Sequence, residues 1–554
     1  MKRVSWILIL VIGFVVTFTA CEDDEEPSAD TPAISSITPN SGEPGTVVTI
    51  AGSTFGSSPT VNFGSTAATV SSATATSIST TVPSGLAAGA VNVSVTAGGQ
   101  TSNAVSFTVE EPDIDDPAAE LVLHLMDNEN VIVDPEFGGV SRETDGMLDP
   151  RPSADDVTTS LASYPEDDFF TEVNYKGAFD PAAAGTWLDG WSLLSRAGYL
   201  PGSGGQAYAY NTADTAGIVI TLPQAIDGDL TLESDYIYKL DGYSFVENGT
   251  LTIEPGTVII SAVTPSTGDP VSALIITRSA MIMAEGTVDE PIIFTSELDN
   301  EVENLTPTDV SLWGGLVLLG EGETLQDGAT EVQIEGIPSA IPALYGGDNN
   351  EDNSGVLRYI SIRYTGDEIS TGNELQGLTM GGVGSGTTIE YIESFASSDD
   401  GVEIFGGAAN VKYFAVAFAD DDSYDFDAGW VGKGQFWFAI QADGDGDQIG
   451  EWDGAIPDAA EIYSNPTIYN GTFIAGSTAA TQAIVMRDNT AGTVANSILT
   501  GPTRGIQVED LGDSEDDSYH RLVNGEIQFL NNIWSFGDQT EFSSGDNGII
   551  TLTE

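Results

Sequence analysis

The sequence predicts an all-β chain: an N-terminal β-sandwich followed by a parallel β-helix. Residues 32–110 alternate apolar and polar positions between Gly-, Pro- and Ser-rich turns, as in "TVNFG" and "AVNVSVTAGGQTSNAVSFTV". Short period-2 strands at regular spacing read as an antiparallel sandwich. From about residue 235 the pattern changes to branched apolar runs separated by glycines, "GTLTIEPGTVIISA", "ALIITRSAMIMAEGT", "PIIFTS" and "WGGLVLLG". Each run is too short for a helix, and together they read as buried strands of a repeating architecture. Composition agrees: 40% apolar residues and 63 glycines describe a turn-rich globular chain, despite a formal charge of −70 from 85 acids against 15 bases. So few cations leave no material for a phosphate-binding groove, which argues against nucleic acid as a partner. No GxxxxGK[ST] loop is present, and "GGVGSG" at 381–386 lies between coil strands where glycine serves turns, so no nucleotide is expected either.

Taken in order, residues 1–20 are a targeting segment. Lys2 and Arg3 precede the apolar run "VSWILILVIGFVVTF", which ends in small residues before Cys21. The run is shorter than the ~20 residues a spanning helix needs. It resembles a bacterial lipoprotein signal, in which the cysteine is lipidated and becomes the mature N-terminus. Residues 21–31 then form an acidic tether, "EDDEEPSAD" after the cysteine. In lipoproteins of the Bacteroidota such a stretch resembles the signal for display on the outer face of the outer membrane. The resemblance therefore implies an outer-membrane, lipid-anchored protein facing the exterior. Because Cys21 is the only cysteine, no disulfide, thiolate metal site or cysteine nucleophile is expected. No spanning run follows it, so a transport role is not expected.

The stretch 32–110 carries "P-x-SGEPGTVVTI-x-G-x-x-F" and resembles an IPT/TIG domain, an Ig-like fold that serves surface lipoproteins mainly as a spacer. Residues 111–234 are irregular. "DGMLDPRPSADD" and "FFTEVNYKGAFDPAAAGTWLDGW" resemble pieces that relatives carry after their coils, and this segment is expected to pack along or cap the β-helix of residues 235–554. A cap has a physical reason, since exposed ends of stacked strands invite association.

Within the coils, "IEYIESFASSDDGVEIFGG" from Ile389 overlays "VKYFAVAFADDDSYDFDAG" from Val411 at an offset of 22 residues. Ile389 falls on Val411, Tyr391 on Tyr413, Val402 on Tyr424 and Ile404 on Phe426. The earlier "LRYISIRYTGDE" fits the same frame, with Leu357, Tyr359 and Ile360 matching Ile389, Tyr391 and Ile392 and a loop as the excess. The acids are in register too: Asp399 on Asp421, Asp400 on Asp422, Glu403 on Asp425, with Asp443 and Asp445 expected near the same corner. Two unit charges ~4.8 Å apart repel by roughly 3.5 kcal/mol at an effective dielectric near 20. Either the side chains splay into solvent or a cation sits among them, and clustered carboxylates suit Ca²⁺. The expected ligands are Asp399, Asp400, Asp421, Asp422, Asp425, Asp443, Asp445, Asp447, Glu451 and Asp453. An EF-hand is rejected, because Gln448 stands where its glycine belongs in "DGDGDQIGEWDG".

The segments "GVLRYISIRYTG", "GGVGSGTTIEYIESFASSDDGVEIFGG", "DDDSYDFDAGWVGKGQFWF" and "NPTIYNGTFI" resemble Bacteroidota surface proteins with a pectin-lyase-like right-handed parallel β-helix. That resemblance implies polysaccharide chemistry as one possibility. A lyase would use Ca²⁺ with Lys433 or Arg363 as base; a hydrolase would use a carboxylate pair such as Asp400 and Asp422. So acidic a surface repels a polyanionic substrate unless calcium reverses the local field. A binding reading uses aromatic faces beside the acids: Trp430 and Trp452, next to turn glycines, are the expected sugar-stacking residues, while most neighbouring aromatics fill the coil core. His124 and His520 stand alone, which argues against a Ser–His–Asp triad or a histidine zinc site. The preferred expectation is adhesion or extracellular glycan binding, with a glycan or surface protein as partner. Catalysis and a structural role in a surface complex stand as alternatives.

Overall fold

The computed structural model describes residues 31–553 except 43–44, 84–85, 87–88, 111–116, 154–159, 204–217, 300–304, 340, 342, 371–372, 477–481, 502–503, 513–515 and 538–549. Cys21 and its flanking signal and tether fall outside the described residues. The chain divides into two compact units, residues 1–111 and 112–554. Among the described residues no helix is long and apolar enough to cross a membrane.

The first unit is a β-sandwich. One sheet orders Ala33–Thr38, Val47–Ser53, Ser77–Thr81 and Val70–Ala73; the other runs from Ser41–Gly42 through Val105–Val109, Gly89–Ala97 and Thr60–Phe63 to Thr66–Ala68. The alternation seen in the sequence puts Val48, Ile50, Val61, Phe63, Val93, Val95 and Phe107 into one core. Gly52 is required there: a Cβ would lie 2.1 Å from the Ala33 carbonyl oxygen and 2.3 Å from the Phe55 ring.

The second unit is a stack of parallel coils. Ile389 pairs with Val411, Ile392 with Phe414, Val402 with Tyr424 and Ile404 with Phe426, so the offset read from the sequence is the strand register. Leu357 pairs with Ile389 across a longer coil. Each coil lays one short strand on one sheet, as in Val402–Phe405, and a long strand folded over a corner, as in Asn410–Ala417. Inward positions of all sheets meet in one core that includes Ile282, Ile360, Ile392, Phe414, Phe426, Trp437 and Val494.

The corner within the long strand holds a ladder of left-handed residues. Tyr359, Tyr391, Tyr413 and Phe436 have φ of 49°, 57°, 59° and 59°, and Asn470, Asn496 and Asn531 continue at 57°, 51° and 55°. Asparagine tolerates this region, whereas for aromatic residues it is strained by about 1–3 kcal/mol each. The rings recover that by stacking at 4.4, 4.3 and 5.0 Å between successive centroids.

The described residues of 117–200 pack on the coils in reverse order of the chain. The helix Pro117–Asp127 sends Leu121 and Leu125 into the coil core, and Nε2 of its His124 accepts the Phe529 amide at 3.0 Å. Asn130 donates to the Phe529 carbonyl at 2.7 Å. Ala162 and Asn496 exchange two hydrogen bonds, as do Thr171 and Gln435. Trp187 and Trp191 then pack edge-on against Tyr413, Tyr391 and Tyr359. Leu193 and Leu194 donate their amides to the buried Glu393 carboxylate at 2.6 and 3.0 Å. The segment thus runs from the coil at Phe529 to the coils at Glu393 and Tyr359 and lies over the ladder before coiling begins at Val219–Thr221.

Candidate functional site

The acidic residues occupy the corner that leads each long strand into the next short strand. Residues 398–401, 419–423 and 441–449 are this turn in three successive coils. The Asp422 amide donates to Asp400 Oδ1 at 3.0 Å, and the Gln448 amide donates to Asp422 Oδ1 at 2.5 Å. Each carboxylate accepts the N–H of the equivalent residue one coil on, which is why Asp400 and Asp422 are buried. Beside the turn, Glu403 pairs with Asp425 and Asp425 with Glu451. Stacking therefore brings acid onto acid.

Three sets of carboxylate oxygens lie within 4.8 Å of one another: Asp399, Asp400 and Asp421; Asp400, Glu403 and Asp425; Asp421, Asp422 and Asp447. Glu403, only 6% exposed, has an Oε2 without a hydrogen-bond partner, and Oδ1 of Asp425 is likewise buried and unpartnered. Burial, reinforced by Asp421, pushes the Asp399 carboxyl up to about 7. Burial and then neighbouring acids hold Asp400, Glu403, Asp422 and Asp425 well above the usual carboxylate range. At the far end the charge is met: Arg487 lies 2.9 Å from Glu451 and grips Asp453 at 2.7 and 3.0 Å. Glu403 has no ion-pair partner among the described residues, and Asp425 feels Arg487 only at longer range.

The expected ligands therefore divide. Asp399, Asp400, Asp421, Asp422, Asp425 and Asp447 come together. Asp443 does not: it is 62% exposed and faces Arg142 at 3.6 Å. Asp445 is outside the three sets, and Glu451 and Asp453 are held by Arg487. The reason is a longer coil: equivalent residues stand 22 apart from Asp400 to Asp422 but 26 apart from Asp422 to Gln448. That sets Gly450 opposite Tyr424 and puts Asp447 and Gln448, not Asp443 and Asp445, in register with Asp421 and Asp422. Glu403 joins these converging carboxylates, and its alignment with Asp425 was the signal for it.

The aromatic expectation is corrected. Trp430 and Trp452 are 0% and 3% exposed. Phe426 and Trp452 are register partners on the inward row, stacked at 5.2 Å, and the turn folds Trp430 onto Phe426 at 4.4 Å. Neither presents a face to a sugar. The catalytic candidates are also otherwise engaged. Lys433 is ion-paired to Asp167. Arg363, 1% exposed, lies 3.7 Å from Asp299 and donates to Ser361 Oγ at 2.8 Å. Asp400 and Asp422 hold backbone amides and do not face a groove as a free acid pair. His124 is pressed down to about 4 by burial, as suits a packing residue, and His520 lies 3.1 Å from Asp517.

No curated protein matches the chain. Among solved structures, a gamma-CGTase from the alkalophilic Bacillus clarkii shares 40% identity over 14% of this chain and 12% of that enzyme, at a TM-score of 0.14. An auxiliary nutrient binding protein from Bacteroides thetaiotaomicron shares 24% identity over 15% of this chain and 21% of that one, also at 0.14. This chain thus spans only a small part of each. Two family models match: IPT/TIG domain over residues 32–109 and pectate-lyase like beta helix domain over residues 224–549. Together these domains are those of a surface or carbohydrate-related protein. With the second model covering more than half its length, the chain belongs to the pectate-lyase like β-helix family.

Proposed function

We propose that this protein is a lipid-anchored surface protein of the outer membrane that binds extracellular glycans, or adheres through them, and that Ca²⁺ stabilises its acidic corner. The observation that carries the calcium reading is the set Asp400, Glu403 and Asp425, whose oxygens converge and include buried, unpartnered atoms. Carboxylates this close and this buried require either protons or a cation, and hard oxygen donors suit calcium. Asp399, Asp421, Asp422 and Asp447 extend the same ligand supply along the corner. The anchor rests on Cys21 and the run before it. The partners are a glycan or a surface protein outside the cell. Binding is favoured over turnover because Lys433, Arg363, Asp400 and Asp422 all have structural duties.

The test is retention on a panel of neutral and acidic polysaccharides, in calcium and in chelator, with new product ends followed in parallel. Calcium-dependent retention without products is expected. Released products would replace the binding reading with an enzyme, and absence of both retention and products would sink it. Separately, a Glu403→Gln, Asp425→Asn variant is expected to bind calcium at least tenfold more weakly by calorimetry. Calcium affinity unchanged in that variant would move the ion elsewhere.

A further inference from the structure

Two insertions interrupt the coil repeat on one side of the stack. One leaves after Gly315–Leu319 and returns before Gly355, forming the hairpin Val332–Gln333 and Leu344–Tyr345. The other is the hairpin Asp367–Ser370 and Asn373–Leu375. Ile334, Ile337, Ala343, Tyr345 and Leu375 cover the outer face of the short-strand sheet at Val317, Leu319 and Phe405. They do not close on it completely. A cavity of about 630 Å³ remains, within the range of small-ligand sites.

Its walls are apolar on one side, with Ile334, Ile337, Ile369 and Phe405. The polar side chains that line it are Gln326, Gln333, Glu335, Ser339 and Tyr345, and among these only Glu335 carries a charge. Gln333 is used up internally, donating to the Ile337 and Ile341 carbonyls and accepting the Ala343 amide. Gln326 is bonded to Asp427 through its side chain, and its Oε1 is buried without a partner. Glu335 lines the cavity, its Oε1 accepts the Glu374 amide at 3.3 Å, and the Glu374 and Asp427 carboxylates lie close enough to oppose its charge. None of the described lining residues is basic. The cavity thus presents one acidic group, neutral hydroxyls and hydrocarbon, with no cation of its own among the described lining residues. An ammonium group brings only donors and a positive charge, which is the complement.

We infer that this cavity binds a ligand carrying a protonated amine on a partly apolar body, and, on the glycan-binding reading, that this ligand is an amino-sugar residue. The Glu335 carboxylate receives the ammonium, and the Ile337 and Phe405 side packs against the ring. An anionic sugar is refused by the same charges, so the cavity selects against uronates.

Calorimetry on the full chain in detergent tests this with two probe pairs. Cyclohexylamine is expected to bind saturably and at least tenfold more tightly than cyclohexanol. Glu335→Gln, which keeps the shape and removes the charge, is expected to abolish that preference, and Ile369→Trp, which fills the cavity, to abolish binding. A chitosan tetramer is expected to bind at least tenfold more tightly than its fully N-acetylated counterpart. Cyclohexylamine binding that depends on Glu335, with neither tetramer bound, keeps the amine site and removes the glycan reading. Equal affinities within the cyclohexyl pair, no binding of cyclohexylamine, or a preference that survives Glu335→Gln overturns the amine site.

Discussion

Two ladders run up the same stack of coils and behave in opposite ways. At the left-handed corner, Tyr359, Tyr391, Tyr413 and Phe436 repeat a neutral ring, so each coil gains from the one below it. At the acidic corner the same register repeats a carboxylate, so each coil opposes the next. A coiled repeat amplifies whatever residue sits at a position. For neutral groups the amplified quantity is cohesion, and for charged ones it is a demand for a counter-charge. Arg487 answers that demand at Glu451 and Asp453 from within the chain. At Asp400, Glu403 and Asp425 it is left to a proton or an ion.

The largest effect should come from breaking the cohesive ladder. Tyr391 stacks on both neighbours and touches Trp187 and Trp191. Tyr391→Ala is expected to destabilise by about 2–4 kcal/mol in denaturant unfolding, independently of calcium. A calcium-dependent loss would mean the ladders are coupled. Next is Arg487→Met, expected to cost about 2 kcal/mol in chelator, because Asp453 keeps its burial and loses its partner. Added calcium should restore part of that loss, and no restoration would confine the ion to the other end.

pH separates the ladders further. Carboxyls raised in the folded state hold protons that the unfolded chain releases, so their stabilisation is complete below the ordinary carboxylate range near 4. It is lost as pH rises through the folded values of about 6 for Asp420 and about 7 for Asp399 and Asp453. In chelator the melting temperature should therefore fall between pH 4 and 8, on the order of 2–4 °C for each kcal/mol. Calcium should flatten the curve by taking the protons' place. A flat curve in chelator would mean that solvent already screens the acids. The smallest effect belongs to Asp443→Asn. This exposed partner of Arg142 should change stability by less than about 0.5 kcal/mol and leave calcium affinity unaltered.

Where the repeat is regular, the sequence was a sufficient guide. The common offset of the two segments predicted the pairing of Ile389 with Val411 and of Glu403 with Asp425, because a coil of fixed length has one register. Where length changes, periodicity gives no warning. The longer coil before Gly450 put Asp447 and Gln448, not Asp443 and Asp445, in register with Asp421 and Asp422. The two insertions around Glu335 have no period, so their cavity was invisible in the sequence. Trp430 and Trp452 were misplaced for other reasons: the turn at Gly429 carried the Trp430 ring inward, and Trp452 is the inward register partner of Phe426. The positive φ at Tyr391 had no local signal either, since aromatic residues seldom take it and only the stacked neighbours compensate for it.

The segment over the ladder also sets a timetable. Asn130 bonds to the carbonyl of Phe529, which is synthesised 399 residues later. At about 5–20 residues per second, roughly 20–80 s separate the two on the ribosome. Trp187, Trp191 and Phe179 therefore emerge long before the coils that cover them, and they must be kept from other surfaces in the meantime. Once the last coil arrives, the same segment ties the coil at Phe529 to the coils at Glu393 and Tyr359, so coils far apart in the stack are joined through one strap.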